Sequence, residues 1–315
     1  MNYEDDHETG LSQYGDAILK TSKLVSKRIY KPWLHSNFVN SIYRYVNGHD
    51  KLFSFVETLP LRIIQKKKLE MEQGTEKLEA SEDETSRNAK SFMELVLRYK
   101  DAEIFSNKEL SDEIITLITA GSETSSITVC FTLLMLAMNP DAQDKVYEEL
   151  HFVFGDDTTR PPDLEDLKQL VFLEQCIKET LRRFPPVPFV LREAVEDIQL
   201  KDGRIIPAGT TIVLATLLMH LSADVYEDPR RWNPDRFAKE EVAKRHVSSF
   251  AAFSVGPRSC IAAKYAMLSI KTQLLTILRH FEVCTDTKLK DIHLTFDMML
   301  RNVKGYEMYL KKRNN

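Results

Sequence analysis

The sequence predicts a mainly α-helical protein with a minor β-sheet. Apolar residues recur at helical spacing through much of the first hundred residues. One long apolar segment opens with the capping-box pattern Ser106-x-x-Glu109 and runs to Asn139-Pro140, where proline's ring stops the preceding helix. Short β-like runs are confined to residues 197–220 and 293–313. Helices should therefore form the body of the fold.

The N-terminal part is predicted to be helical on both sides of a charged segment. Residues 14–34 carry apolar side chains at helical spacing until Pro32, and residues 91–100 do so again. Residues from about 65 to 91 are rich in charge and poor in aromatic side chains. A segment of that composition buries little apolar surface, so we predict a solvated, mobile connection there.

The remaining elements follow from stop signals in the sequence. The helix that begins near Ser106 would be about 45 Å long, at about 1.5 Å per residue, which is the span of a whole domain. Further helices are predicted over 141–155, as two pieces within 163–186, and from Ala263 to about Phe281. Asp202-Gly203 predicts a hairpin between two short strands.

Composition excludes several classes of protein. The chain has 315 residues, is 43% hydrophobic and carries a formal net charge of -4, so no basic excess points to nucleic acid. Four widely spaced cysteines without a CxxC pair disfavour a zinc site and a disulfide framework. The acidic N-terminus is neither a signal peptide nor a membrane anchor. Residues 115–138 are long enough to span a membrane, but Glu123 among small polar residues at mid-span favours a helix buried in protein.

Cys260 is the residue with the most specific chemical setting. It follows a Gly-Pro-Arg turn and precedes a predicted helix, whose unpaired N–H groups would stabilise a thiolate. Gly256 would let the backbone turn, Arg258 would present a planar cation, and Phe253 would cover the sulfur from water. A small buried cysteine that opens a helix is one alternative. A nucleophile is another, although Arg258 precedes the cysteine and the nearest histidine is His246.

Two further motifs each have a structural and a functional interpretation. Glu179 and Arg182 share one helix face at i,i+3, where a surface ion pair is the default. Gly121, Thr124, Ser125 and Thr128 share a face of the long helix and form a small, weakly polar groove. That groove is either a helix-packing notch or, beside a metal, a place for dioxygen.

These motifs together resemble the cytochrome P450 superfamily. Phe253-x-x-Gly256-x-Arg258-x-Cys260 matches its heme-binding signature FxxGxRxCxG, with Ala262 in place of the last glycine. Glu179-x-x-Arg182, the stretch Pro234-Asp235-Arg236-Phe237 and the run 120–125 match three further family motifs in the required order. The individual residues in and around these motifs are most similar to those of the animal, insect-like family 4 clan. Ala120 occupies the position where several members carry a glutamate esterified to heme, which argues against that covalent link.

The resemblance implies a role for each motif residue. Cys260 would be the axial thiolate ligand of heme b iron, and the resemblance also assigns Phe253, Gly256 and Gly121 to cofactor binding. Arg258 and Arg192 would pair with the heme propionates, and residues 187–191 would line the substrate cavity. Thr124 would donate a hydrogen bond to dioxygen and Glu123 would feed protons from solvent. Glu179, Arg182 and Arg236 would form a buried structural network near the cysteine loop.

The resemblance also implies a function and partners. The complete enzyme would be a monooxygenase that inserts one oxygen atom of O2 into a lipophilic substrate, such as a fatty acid, a steroid-like molecule or a xenobiotic. NADPH would act only indirectly, through NADPH-cytochrome P450 reductase docked near Lys264 and Arg258, with cytochrome b5 as an optional second partner. The protein would lie at the cytosolic face of the endoplasmic reticulum membrane.

Residues 1–315 are expected to form a single heme-thiolate monooxygenase domain that lacks the family's N-terminal part. The absent part would comprise the membrane anchor, the first strands of the main sheet and helices beside the heme, so we expect a truncated cytochrome P450 fold. The alternatives are a non-catalytic fragment that retains the heme signature and, from a different class, a cysteine hydrolase.

Overall fold

The computed structural model describes residues 5–72 and 106–313. The chain forms two compact units, Met1–Ala120 and Gly121–Asn315. Helices dominate the described residues, and the strands are short, which confirms the predicted mainly α class with a minor β component.

The first unit contains three long helices before residue 73. They are α1 (Asp5–Tyr30), α2 (Asn37–Val46) and α3 (His49–Glu72), with a 3-10 turn at Pro32–His35 between the first two. Tyr14 on α1 donates its hydroxyl to the carbonyl of Val56 on α3 at 3.0 Å, and both residues are buried. This bond and the surrounding apolar side chains hold α1 against α3.

The predicted charged connection overlaps the end of α3. Residues 65–72 are helical and belong to its last turns. Residues 73–91 of that connection, and the helix predicted over 91–100, lie outside the described residues.

The long helix α4 (Asn107–Met138) begins and ends where the sequence predicts. Its capping box is formed: the Ser106 N–H donates to Glu109 Oε2 at 2.8 Å, and the Glu109 N–H donates to Ser106 Oγ at 3.2 Å. Pro140 starts the next helix, so α4 ends two residues earlier.

The C-terminal part of α4 is a core element. Phe131, Leu134 and Leu136 are 0% exposed. By length and composition α4 could also cross a membrane, and 33% of its most apolar 18-residue window is buried. The predicted burial in protein therefore holds for the C-terminal part of the helix, while Gly121 and Ser122 are exposed.

The second unit packs its helices around one apolar core. After α4 these are α5 (Pro140–Phe154), α6 (Leu164–Gln169), α7 (Val171–Arg183), α8 (Thr216–His220), α9 (Lys239–Ala243) and α10 (Ala263–His280). Fully buried core residues include Val146, Leu170, Leu173, Cys176, Ile177, Leu274, Leu275 and Leu278. The Gln143 amide adds a polar tie, because it donates to the Val283 carbonyl at 2.9 Å and accepts from the Val283 N–H at 2.8 Å.

The strands of the described residues form four antiparallel pairs. They are β1 (Val190–Glu193) with β4 (Thr211–Leu214), β2 (Ile198–Gln199) with β3 (Ile205–Ile206), β5 (Phe281–Cys284) with β8 (Tyr309–Lys312), and β6 (Leu294–Asp297) with β7 (Met299–Asn302). The hairpin predicted at Asp202-Gly203 joins β2 to β3, and Gly203 has φ +84.

One β-like stretch of the prediction is helical. Residues 216–220 form α8, whose next amide, that of Leu221, donates to the Leu217 carbonyl at 3.1 Å. The Thr216 hydroxyl donates to the Pro188 carbonyl at 2.8 Å and fixes the start of this helix. A run of five residues with three apolar side chains at its centre fits both periods, so the run alone could not decide between helix and strand.

Candidate active site: the cysteine loop and its supports

Cys260 ends a loop that runs from Ala251 to the start of α10. The Cys260 N–H donates to the Phe253 carbonyl at 2.8 Å, and the Ser259 N–H donates to the Gly256 carbonyl at 3.0 Å. These bonds close the bend upon itself. The Cys260 side chain is exposed, and Phe253 packs its ring against the main core, so the structure presents the thiol to the outside of the loop.

Backbone conformation explains two positions of the signature. Gly256 has φ +82, in the left-handed region that glycine adopts without a Cβ penalty. A Cβ built there would meet nothing within 4 Å, so the backbone conformation and not crowding requires glycine. Ala262, which replaces the signature's last glycine, has φ -93 and ψ 11, which any residue can adopt. The departure at Ala262 therefore introduces no strain.

The buried ion pair lies between Glu179 and Arg182 on α7, and both side chains are 0% exposed. Arg182 grips the carboxylate with two bonds, Nε to Oε2 at 2.7 Å and Nη2 to Oε1 at 2.8 Å. Arg236, on the 3-10 turn Pro234–Phe237, places Nε 3.6 Å from Glu179 Oε1 and donates through Nη2 to the Asp228 carbonyl at 2.9 Å. The structure thus brings together the three residues expected to form a network.

Arg182 and Glu179 also organise the irregular segment that precedes the cysteine loop. Arg182 donates to the carbonyls of His220 at 2.6 Å and Pro229 at 2.9 Å. Glu179 Oε1 accepts from the Asn233 N–H at 2.9 Å. Each of these hydrogen bonds goes to a backbone group. The Glu179–Arg182 pair therefore fixes the backbone of residues 220–233.

Two residues that the sequence analysis missed connect this segment to the cysteine loop. The Tyr226 hydroxyl donates to the Ser249 carbonyl at 3.2 Å, and the Ala251 N–H donates to His220 Nε2 at 3.0 Å. The available signal was one histidine at the end of an apolar run, which fits a core residue equally well.

Glu123 precedes Thr124 in sequence but does not share the groove face of α4. Its side chain is 5% exposed and forms an ion pair with Arg301 of β7, instead of facing solvent as a proton relay would. Thr124 is half-buried, and its carbonyl accepts from the Thr128 hydroxyl at 2.8 Å. An added Cβ at Gly121 would meet nothing within 4 Å, so this face is open at that point.

The remaining predicted site residues lie on separate elements. Arg258 is exposed in the cysteine loop. Arg192 is half-buried on β1, where it pairs with Ile212 of β4 in the strand register, and its Nη1 donates to the Leu191 carbonyl at 2.8 Å. The structure therefore unites Phe253, Gly256 and Cys260 in one bend and places the two arginines on different elements.

The fold and the cysteine loop define a class of protein, and comparison with known sequences identifies it. The profile of the cytochrome P450 family matches residues 1–310, so the chain belongs to the cytochrome P450 family. Over 96% of its length it is 29% identical to cytochrome P450 4g15 and 30% identical to cytochrome P450 4c3, both of Drosophila melanogaster. It is 32% identical to cytochrome P450 4V2 of Homo sapiens, also over 96% of its length. These names confirm the expected likeness to family 4. The chain spans 64%, 58% and 58% of the length of these three relatives.

Proposed function

We propose that the protein acts as a heme-thiolate monooxygenase, which inserts one oxygen atom of O2 into a lipophilic substrate such as a fatty acid, a steroid-like molecule or a xenobiotic. The observation that carries the proposal is the exposed Cys260 thiol, at the end of a bend closed by its own amide. A second support is the buried Glu179–Arg182 pair, which fixes the chain leading to that bend.

The residues around the thiol suit heme b, a flat apolar ring with two carboxylates. Val255 is 50% and Ile261 is 96% exposed beside the cysteine, and Arg258 offers an exposed cation. Within residues 5–72 and 106–313, no group of three histidine, cysteine or acidic side chains is arranged to hold a metal ion. When bound, the heme supplies oxygen activation, which thiolate ligation favours.

The arginines and the apolar stretch after α7 would position the cofactor and the substrate. Arg258 and Arg192 would pair with the heme propionates through charge-assisted hydrogen bonds. Arg192 donates to the Leu191 carbonyl through Nη1 only, and the guanidinium has further N–H groups that could pair with a propionate. Residues 187–191 would line the cavity for the lipophilic substrate.

The proton donors would be Thr124, on the groove face of α4, and its sequence neighbour Glu123. Thr124 would present its hydroxyl on this face, and the Glu123 carboxyl group, one residue away, would take up a proton from solvent and pass it on. Arg301 pairs with Glu123 Oε1 and is 21% exposed. Oε2 of Glu123 has no hydrogen-bond partner among the described residues, so it is the oxygen that would carry the proton.

Partners and location follow the same proposal. Electrons from NADPH would reach the heme through NADPH-cytochrome P450 reductase, and cytochrome b5 could act as a second donor. Arg258 and Lys264 are both exposed near Cys260 and would attract an acidic partner surface. We place the protein at the cytosolic face of the endoplasmic reticulum membrane.

The test is heme binding by the purified chain. Hemin, dithionite and carbon monoxide should give a Soret band at the position of a thiolate adduct. Cys260→Ser should abolish that band, and Cys284→Ser, which changes another partly accessible cysteine, should preserve it. No heme uptake by the wild-type chain would favour a non-catalytic fragment.

The hydrolase alternative has less support. Among the described residues, no histidine hydrogen-bonds the Cys260 thiol, and Nδ1 of His246 accepts from the Ser248 N–H at 3.1 Å. A base within hydrogen-bonding reach is one common means of activating a cysteine nucleophile, and Cys260 has none of this kind from histidine.

A further inference from the structure

Three consecutive residues at the start of the cysteine loop, Ser249, Phe250 and Ala251, are held by contacts with Tyr226 and His220. The Ser249 carbonyl accepts from Tyr226, and the Phe250 ring stacks on His220 with centroids 5.6 Å apart and an interplanar angle of 16°. The Ala251 N–H donates to His220 Nε2 at 3.0 Å. His220 thus makes two of these three contacts.

The same residue is bound to the buried ion pair. The His220 carbonyl accepts from Arg182 Nη1 at 2.6 Å, and Arg182 in turn grips Glu179. His220 is therefore a single-residue connection between the Glu179–Arg182 pair and the start of the cysteine loop.

The chemistry of the imidazole fits an acceptor. His220 is 0% exposed, and burial, with a smaller effect of the Arg182 charge, lowers its pKa to about 4. The neutral ring that accepts at Nε2 carries its proton on Nδ1, and Nδ1 has no hydrogen-bond partner among the described residues. Leucine or phenylalanine would fill this space without an unpaired ring nitrogen, but would leave the Ala251 N–H without its acceptor. The acceptor that histidine supplies is what they lack.

Hydrogen bonds within the loop connect the position of Ala251 to that of Cys260. The Ala251 carbonyl accepts from the Ser254 N–H at 2.9 Å, and the next carbonyl but one, that of Phe253, accepts from the Cys260 N–H at 2.8 Å. A shift of Ala251 would therefore displace the frame that orients Cys260.

We propose that His220 is a positioning residue for the cysteine loop: by accepting from the Ala251 amide it fixes the bend that ends at Cys260 relative to the Glu179–Arg182 pair. The importance of this for heme rests on the proposed function, but the fixing of the loop does not.

The test uses the full chain and two matched variants. His220→Gln keeps an acceptor oxygen where Nε2 lies and loses the ring. His220→Phe keeps a flat ring against Phe250 and loses the acceptor. Hydrogen exchange at the Ala251 amide should accelerate about fivefold or more in His220→Phe, the factor that matches loss of one ordinary hydrogen bond. His220→Gln should stay near wild type, and residues 270–278 of α10 should be unchanged in both variants.

A measurement on the unmodified chain covers the case in which His220→Phe does not fold. Nitrogen-15 NMR of the His220 ring should show a neutral imidazole protonated at Nδ1. A ring protonated at Nε2 would overturn the proposal, as would equal exchange at Ala251 in the two variants and the wild type.

Heme binding separates this proposal from the function. If the wild-type chain takes up no heme but the exchange results are as expected, the proposed function fails and the positioning role stands. If the wild type binds heme as a thiolate complex, His220→Phe should bind it more weakly and His220→Gln should recover binding. Identical binding by all three proteins would overturn the positioning role alone.

Discussion

Arg301 on β7 donates through Nη2 to Glu123 Oε1 on α4, so a residue close to the C-terminus holds the acidic residue that precedes Thr124 in sequence. The two residues are 178 positions apart in sequence. Glu123 Oε2 is buried and has no hydrogen-bond partner among the described residues, so the contact with Arg301 offsets the burial of this charge.

Removing Arg301 should therefore leave an uncompensated buried charge. We expect Arg301→Gln to lower the free energy of unfolding by about 2–3 kcal/mol, somewhat less than for a fully buried pair because Arg301 is partly exposed. Urea unfolding at neutral pH measures the loss. The double variant with Glu123→Gln should recover part of it, and fully additive losses would contradict the pairing.

Two glycines of the predicted site should respond to alanine in opposite directions. Gly256→Ala should destabilise the protein by about 1–2 kcal/mol, because alanine is strained at φ +82. Gly121→Ala should stabilise it by about 0.5–1 kcal/mol, because Gly121 lies inside α4 with open space around it. Thermal or urea unfolding of the pair measures both effects. A loss of stability in both variants would show that Gly121 is needed for packing.

The stability of the chain should fall in mild acid because of His220. Its folded-state pKa is lowered to about 4 from 6.5, so the neutral ring is favoured in the folded protein. This stabilisation, at most about 3 kcal/mol, is complete above pH 6.5 and is lost as the pH falls toward 4. The difference between the wild-type and His220→Gln stability curves should slope within that window. Parallel curves would show that His220 titrates normally.

Thiol reactivity should separate the cysteines in the native chain. Cys260 is exposed, whereas Cys176 is fully buried and burial raises the pKa of its thiol. A brief treatment with iodoacetamide should alkylate Cys260 and spare Cys176, as read by peptide mass spectrometry. Prior heme loading should protect Cys260 and leave Cys284 unchanged. Alkylation of Cys260 at the same rate with and without bound heme would contradict thiolate ligation.

The sequence could predict those features that depend on neighbouring residues. The capping box at Ser106 and Glu109 and the proline at 140 fix the ends of α4, because both signals act within one turn. The i,i+3 spacing places Glu179 beside Arg182 on any helix. The loop signature likewise contains the glycine that its left-handed turn requires.

The supports of the site could not be predicted in the same way. The partners Ala251 and His220 are 31 residues apart and Tyr226 and Ser249 are 23 apart, so only the folded chain brings them together. No local period marks such pairs. The i,i+3 spacing of Glu179 and Arg182 did not by itself predict their burial, since the same spacing on an exposed helix face gives a weak surface pair. Only the resemblance to the family implied a buried network.

Arg182 should contribute more than Arg236 to the stability of the folded chain, although both contact Glu179. Arg182 makes two hydrogen bonds to the carboxylate and reaches the His220 carbonyl through Nη1, whereas Arg236 approaches Glu179 only to 3.6 Å. Lysine cannot reproduce the planar fork. Arg182→Lys should therefore destabilise the chain by about 3 kcal/mol or more, and Arg236→Lys by about 1 kcal/mol.

Urea unfolding of the two variants gives the comparison, with hydrogen exchange over residues 249–260 as the local readout. Arg182→Lys should raise exchange in that loop, because the His220 carbonyl loses its donor. Equal destabilisation by the two substitutions would show that the fork at Arg182 does not hold the segment before the cysteine loop.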